Sequence, residues 1–144
     1  MHPLNQHDLI QKYIAGNHFG ALLGINFEIL EKGKVIYHST IEDKHLATPF
    51  AAHGGLLATL CDGALGIAAL SQVAEIGKIV STIEMNIKYL KPVLLGDQLI
   101  AKAEIIQAGN RLIFSEAKVY NQKKELVVSA SGTFNAYPKE KAGY

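Results

Sequence analysis

His53-Gly54-Gly55-Leu56-Leu57-Ala58-Thr59-Leu60-Cys61-Asp62-Gly63-Ala64-Leu65-Gly66-Ile67-Ala68-Ala69-Leu70 is the stretch on which the reading of this chain turns. Drawn as a helix it is apolar on every side, yet one carboxylate, Asp62, sits at its middle. Taking an ionised group out of water costs several kcal/mol unless something compensates it. No Lys or Arg lies within two helical turns of Asp62 in either direction. The carboxylate is therefore rescued by a partner distant in sequence or kept because chemistry needs it. A core carboxylate satisfied by backbone or water is the plain alternative, but buried carboxylates without partners are rare. The Gly54-Gly55 pair favours chemistry, because free N–H groups at a helix N-terminus can hold a negative oxygen. An entry turn or tight packing is the ordinary reading of the same glycines.

The pattern extends this helix from about His53 to Val73. Upstream, Asn5 to Ala15 reads as a short helix capped by Asn5 and ended by Gly16, and Phe19 to Leu23 as a further helical turn. Asn26 to Glu31 and Lys34 to Ile41 then read as a hairpin around Lys32-Gly33. Glu42 to Ala52 is a loop. After Gly77 the chain is nearly all strand. Ile79 to Leu90 alternates, with Ile83, Met85, Ile87 and Tyr89 on one face and Thr82, Glu84, Asn86 and Lys88 on the other. Leu99 to Gln107, Arg111 to Tyr120 and Leu126 to Phe134 follow, separated by turns at Gly109-Asn110 and Asn121 to Lys124, with Pro138 to Tyr144 as a loose tail. Antiparallel strands with one long apolar helix make an α+β fold. Such a helix needs cover on all sides. A curved sheet covers part of it, and a second copy of the chain is the simplest cover for the remainder.

The 144 residues suggest one domain with a real core. A net charge of +1 gives no argument for nucleic acid or an anionic membrane as partner. The single cysteine, Cys61, excludes an internal disulfide and a cysteine metal cluster. Met1 to Ile10 has neither a basic start nor an apolar core, so no signal peptide is expected. Leu56 to Leu70 is read as too short to span a bilayer. The cytoplasm is the default compartment.

Gly54 and Asp62 are eight residues apart, roughly 12 Å along a helix axis. An oxyanion donor must sit ~3 Å from its oxygen, and a base must be within hydrogen-bond reach of its proton. One carbonyl is thus unable to touch both groups of one helix. Two such helices packed around a two-fold axis bring the N-terminus of one near the middle of the other, which predicts a composite site at a dimer interface. His53 and Asp62 fail as a dyad within one chain for the same reason.

His53-Gly54-Gly55 followed by Leu60 and Asp62, then Thr82, Asn86, Tyr89, Pro92 and Gly96, resembles the hotdog-fold acyl-CoA thioesterases of the phenylacetate-degradation (PaaI-like) group. The likeness runs from about Phe19 to Phe134. It implies a single hotdog domain over residues 1–144, with its core at about 19–135, in which an antiparallel curved sheet wraps a long central apolar helix. It further implies hydrolysis of an acyl-coenzyme A to a carboxylic acid and free coenzyme A, by a dimer or a dimer of dimers. No cofactor is implied beyond the coenzyme A of the substrate. Gly54 is then the amide that polarises the carbonyl, Asp62 the base or nucleophile, and Thr82 the hydroxyl that helps hold water. His53 supports the loop and leaving-group region. One position departs from the pattern: Ala47 stands where the family has Asn or Gln, six residues before His53. Gly55, Thr48 (beside Ala47) and Phe50 are the expected substrate-binding residues, and Phe19 and Leu23 are further candidates for the acyl pocket.

Each of these residues has a plainer reading. Thr82 is an ordinary strand former, His53 a helix cap, and the apolar candidates core. Cys61 points about 100° away from Asp62 on the helix and reads as a small hydrophobe. His38, His45 and His53 show no ligand spacing, so no metal is expected. Lys88 and Lys91 could meet coenzyme A phosphates, though a solvated strand edge explains them. Two rival functions remain. Pro92, Val93, Gly96 and Asp97 resemble a stretch of hotdog acyl thioester dehydratases, whose histidine motif is absent, and the Ala47 departure suits a non-catalytic acyl-CoA-binding protein.

Overall fold

In the computed structural model, which describes residues 1–144, a 3-10 turn (Pro3–Gln6) leads into helices α1 (Asp8–Gly16) and α2 (His18–Leu22). Strands β1 (Asn26–Glu31) and β2 (Lys34–Thr40) form the expected hairpin. The long helix α3 (Gly54–Val73) follows, then β3 (Lys78–Tyr89), β4 (Gln98–Ala108), β5 (Leu112–Tyr120) and β6 (Leu126–Pro138). All six strands pair antiparallel in one sheet of order β1-β2-β4-β5-β6-β3. The α+β, helix-in-sheet architecture is the one expected of a hotdog fold.

The sheet holds α3 because of what its inner face carries. Side chains alternate across a strand, and the inward positions of β4, β5 and β6 include Ala101, Ala103, Ala117, Ala130 and Ala136, all buried. Such small residues leave a trough into which a helix can sink. Leu57, Leu60, Ala64, Leu65, Ile67, Ala68 and Leu70 of α3 fill it, and α3 touches every strand. Continued by a 3-10 turn, the helical stretch Gly54–Ile76 is 23 residues long and by length and composition could cross a membrane. The length argument from Leu56 to Leu70 therefore does not hold. This is a core helix, and the sheet takes up most of its surface.

Three local expectations are corrected. Asn5 does not cap α1: His7 does, its Nδ1 accepting from the Leu9 N–H at 3.2 Å. Asn5 instead acts as a strand substitute on edge strand β1. Its Nδ2 donates to the Ile29 carbonyl at 2.8 Å and its Oδ1 accepts from the Ile29 N–H at 2.9 Å. The tail is not loose. β6 runs to Pro138, a 3-10 turn covers Lys139–Ala142, and Tyr144 returns to α1, where the Lys12 ammonium lies 5.8 Å from its ring centroid. The alternation of β3 breaks at Ile83, with consequences for the site described below.

Tyr37 of β2 points inward, stacks on Phe27 with ring centroids 4.9 Å apart, is 1% exposed, and sets its hydroxyl beside that of Tyr13. Gly63 of α3 permits this packing, since a Cβ there would come 3.0 Å from Tyr37 Cε1.

Asn5→Ala strands two buried backbone groups of Ile29 and should cost on the order of 2 kcal/mol in urea unfolding, against ~1 kcal/mol for loss of a simple cap; a loss no larger than that of a cap would refute the strand-substitute account.

Candidate active site

The first turn of α3 divides the work of its two glycines. His53 is the N-cap, and its Nδ1 accepts from the Gly55 N–H at 2.7 Å. The imidazole can fold back this far because Gly55 has no side chain: a Cβ there would lie 2.9 Å from His53 Nδ1. The Gly55 amide is thereby occupied. Gly54 is the first helical residue, so its N–H has no intrahelical acceptor, and no turn, cap or side-chain hydrogen bond uses it. Gly54, not Gly55, has an amide to offer. Tyr89, from the far end of β3, braces it by donating its hydroxyl to the Gly54 carbonyl at 3.0 Å.

Asp62, half-buried two turns further on, finds its partner across the fold. The Thr82 hydroxyl donates to Asp62 Oδ1 at 2.8 Å. Strict alternation puts Thr82 on the face away from Met85 and Ile87. The register shows why it is not there. Thr82 pairs with Phe134 and Glu84 with Thr133, so Ile83 has no partner and forms a bulge. The extra residue turns the first part of β3 over, and Thr82 joins Val80, Met85 and Ile87 on the face toward α3. The Thr82 oxygen keeps its lone pairs while its proton is held by the carboxylate. A water placed there meets an acceptor on each side.

Asp62 and Thr82 open into a cavity of about 220 Å³ between α1, α3 and β3. Its apolar walls include Leu9, Tyr13, Ile67, Leu70, Val80 and Phe134. Phe19, Leu23 and Phe50 are not among them: Phe19 and Phe50 are 58% and 74% exposed, and Leu23 packs on the core. The helical side of this cavity follows from Asp62 in steps of four to Gly66 and Leu70.

The remaining candidates make contacts within the fold. Thr48 Oγ1 accepts from the N–H groups of Phe50 and Ala51 at 3.3 and 2.9 Å, which ties the turn next to Ala47. His45 accepts from the Glu42 N–H and reaches the Leu23 carbonyl at 2.8 Å. Lys91 pairs with Glu125 at 2.6 Å. Asp97, the acid of the dehydratase-like stretch, accepts from the Leu94 N–H and from Gln122, so it holds a turn. Burial, with the Asp62 charge adding to it, pushes the Cys61 thiol up to about 12, so it stays protonated and is no nucleophile.

The sequence profile of the thioesterase superfamily matches residues 51–128, more than half of the chain and all of the constellation from His53 to Tyr89. The chain belongs to the thioesterase superfamily. Human acyl-coenzyme A thioesterase 13 is 30% identical to it over 116 residues, covering 80% of this chain and 81% of the human protein. A Streptococcus mutans protein crystallised with acetyl-CoA is 32% identical, with a TM-score of 0.73 over 79% of this chain and 89% of its own. The Escherichia coli PaaI protein of the phenylacetic acid degradation operon superposes with a TM-score of 0.85 over 94% of both chains at 24% identity, a likeness of fold. As in other thioesterases the chemistry to be explained is hydrolysis of a thioester.

The cap reading of His53 has its own test. His53→Ala should destabilise the protein by about 1 kcal/mol, and His53→Asn, which can still cap, should recover most of it in thermal unfolding. Equal losses in both variants would assign the imidazole another role.

Proposed function

We propose that this protein hydrolyses an acyl-coenzyme A thioester to a carboxylic acid and free coenzyme A, working in the cytoplasm as a dimer or a dimer of dimers. The observation that carries the proposal is the pairing of a hydroxyl-bound carboxylate, Asp62 with Thr82, with an uncommitted amide, Gly54, at the start of the same helix. The acetyl-CoA and acyl-CoA named for two relatives support coenzyme A as the thiol.

Roughly 12 Å along one helix separates Gly54 from Asp62, so the working pair is Gly54 of one subunit with Asp62 of the partner subunit. Two features support the assembly. β3 is an edge strand whose Ile83 and Tyr89 are 55% and 53% exposed. The face of α3 bearing Ala58, Thr59, Asp62 and Gly63 is only half covered. Unpaired edges and exposed apolar surface of this kind call for a partner.

In the reaction the Gly54 N–H donates to the thioester carbonyl oxygen, and the helix dipole stabilises the charge that develops there. A water held by Thr82 Oγ1 gives its proton to Asp62 as its oxygen bonds to the carbonyl carbon. The tetrahedral intermediate collapses, the C–S bond breaks, and the leaving thiolate takes the proton back from Asp62. Coenzyme A enters as part of the substrate, and no other cofactor is required. His53 acts by fixing the first turn of α3. With Ala47 in place of an amide, Asp62 and Thr82 hold the water alone. The structural duty of Asp97 removes the main support for dehydration.

Asp62→Asn should lower kcat about 10²–10⁴-fold in a thiol-release assay. Gly54→Pro removes the amide hydrogen and puts a ring in its place without disturbing the helix start, because proline suits the first helical position and the extended His53 before it; it should lower kcat about 10²-fold or more. Co-expressing the two inactive variants should restore about a quarter of wild-type activity, since each mixed dimer contains one intact composite site. No recovery in verified mixed dimers would place both groups in one chain's site and defeat the proposal.

A further inference from the structure

Asp62, Gly66 and Leu70 follow one another at four-residue steps along α3, so the floor of the 220 Å³ cavity leaves the carboxylate away from the helix N-terminus. It extends for roughly 12 Å. Val80, the next inward residue before Thr82, lines the β3 side. Leu9 and Tyr13, one helical turn apart on α1, lie on the side facing α3. Phe134 and Tyr144 complete the lining. Gly66 keeps the floor open: a Cβ there would meet only the Phe134 ring, at 3.4 Å.

Two features set what this space can take. Its one side-chain carboxylate, Asp62, holds the Thr82 hydroxyl; Ser81, Tyr13 and Tyr144 bring the other hydroxyls, and most of the remaining lining is apolar. The volume accommodates roughly seven carbon-sized groups, taking about 30 Å³ for each as for a liquid water molecule. We infer that this cavity is the acyl pocket and that it selects compact acyl groups, a single aromatic ring or a short unbranched chain, against long fatty acyl chains. This rests on the thioesterase reading above. Four of the residues that shape it, Leu9, Tyr13, Phe134 and Tyr144, lie outside the 51–128 segment that carries the family match. One side of the pocket is thus built from parts the superfamily pattern does not reach, and relatives with the same His53-to-Tyr89 constellation are free to differ in it.

The test compares kcat/KM for benzoyl-, hexanoyl- and palmitoyl-CoA in the wild-type protein and two variants of opposite effect. Val80→Ala widens the pocket at a half-buried strand position. Gly66→Ala adds one methyl to the floor and favours the helix, so loss of folding does not confound it. Wild type should prefer hexanoyl- and benzoyl- over palmitoyl-CoA by about tenfold or more, the discrimination that one misfitting methylene already produces. Val80→Ala should move the optimum to longer chains, and Gly66→Ala should reduce benzoyl and hexanoyl turnover while sparing acetyl-CoA. If palmitoyl-CoA is hydrolysed as well as hexanoyl-CoA, or both variants scale all acyl groups alike while activity still depends on Asp62, the pocket assignment fails and the thioesterase reading stands. If the wild-type protein releases thiol from none of these substrates, the thioesterase reading fails and the pocket falls with it.

Discussion

A carboxylate in the middle of an apolar helix has to be met by a donor, and the one hydroxyl that α3 offers a turn away, on Thr59, is given to the Gly55 carbonyl. The donor comes from β3, where the Thr82 hydroxyl reaches Asp62 Oδ1 at 2.8 Å. That contact depends on the bulge at Ile83, which turns over the start of the strand. Without the bulge Thr82 would face away from the helix, and the charge would sit between glycines and leucines with only solvent to meet it. The Thr82 wall of the cavity follows from this one irregularity. A strained or bulged strand beside a catalytic group is a common way to aim a side chain that regular alternation would point elsewhere.

The alanine-lined trough of the sheet and the glycines of α3 are two halves of one packing solution. Ala101, Ala103, Ala117 and Ala130 let the helix sink into the sheet. Gly63 lets Tyr37 press against the helix, and Gly66 leaves space over the floor beyond Asp62. Glycine weakens a helix interior by roughly 0.5–1 kcal/mol relative to alanine. Here the surrounding core offsets that cost, and the space so created lies next to the only carboxylate of the helix.

At the other end of the helix, the paired glycines have different jobs. Gly55 makes room for the His53 ring and gives it its amide. Gly54 keeps its amide free while Tyr89 steadies its carbonyl. The histidine therefore serves the site through backbone geometry.

Much was legible in the residues themselves. The all-apolar run with its lone acid marked α3 and Asp62, and the two-residue period after Gly77 marked the strands, because helices and strands impose periods that burial makes visible. The resemblance carried by His53-Gly54-Gly55, Asp62 and Thr82 pointed to the superfamily that the profile match shows. Asn5 was misread because a capping residue and a side chain that pairs with a strand 24 residues away look alike in sequence. Phe19 and Phe50 do not line the cavity beside Asp62 within one chain, because aromatic character does not say which surface a loop presents. Local periodicity and residue chemistry alone determined that there is a buried-helix fold with an acid at its centre. Only the tertiary structure decided that the Ile83 bulge turns Thr82 toward that acid, that Gly54 and not Gly55 keeps its amide free, and that the cavity runs toward α1. The first and last depend on pairing register and on contacts between segments far apart in the chain, which no local pattern of side chains encodes; the second depends on the His53 ring folding back onto the Gly55 amide.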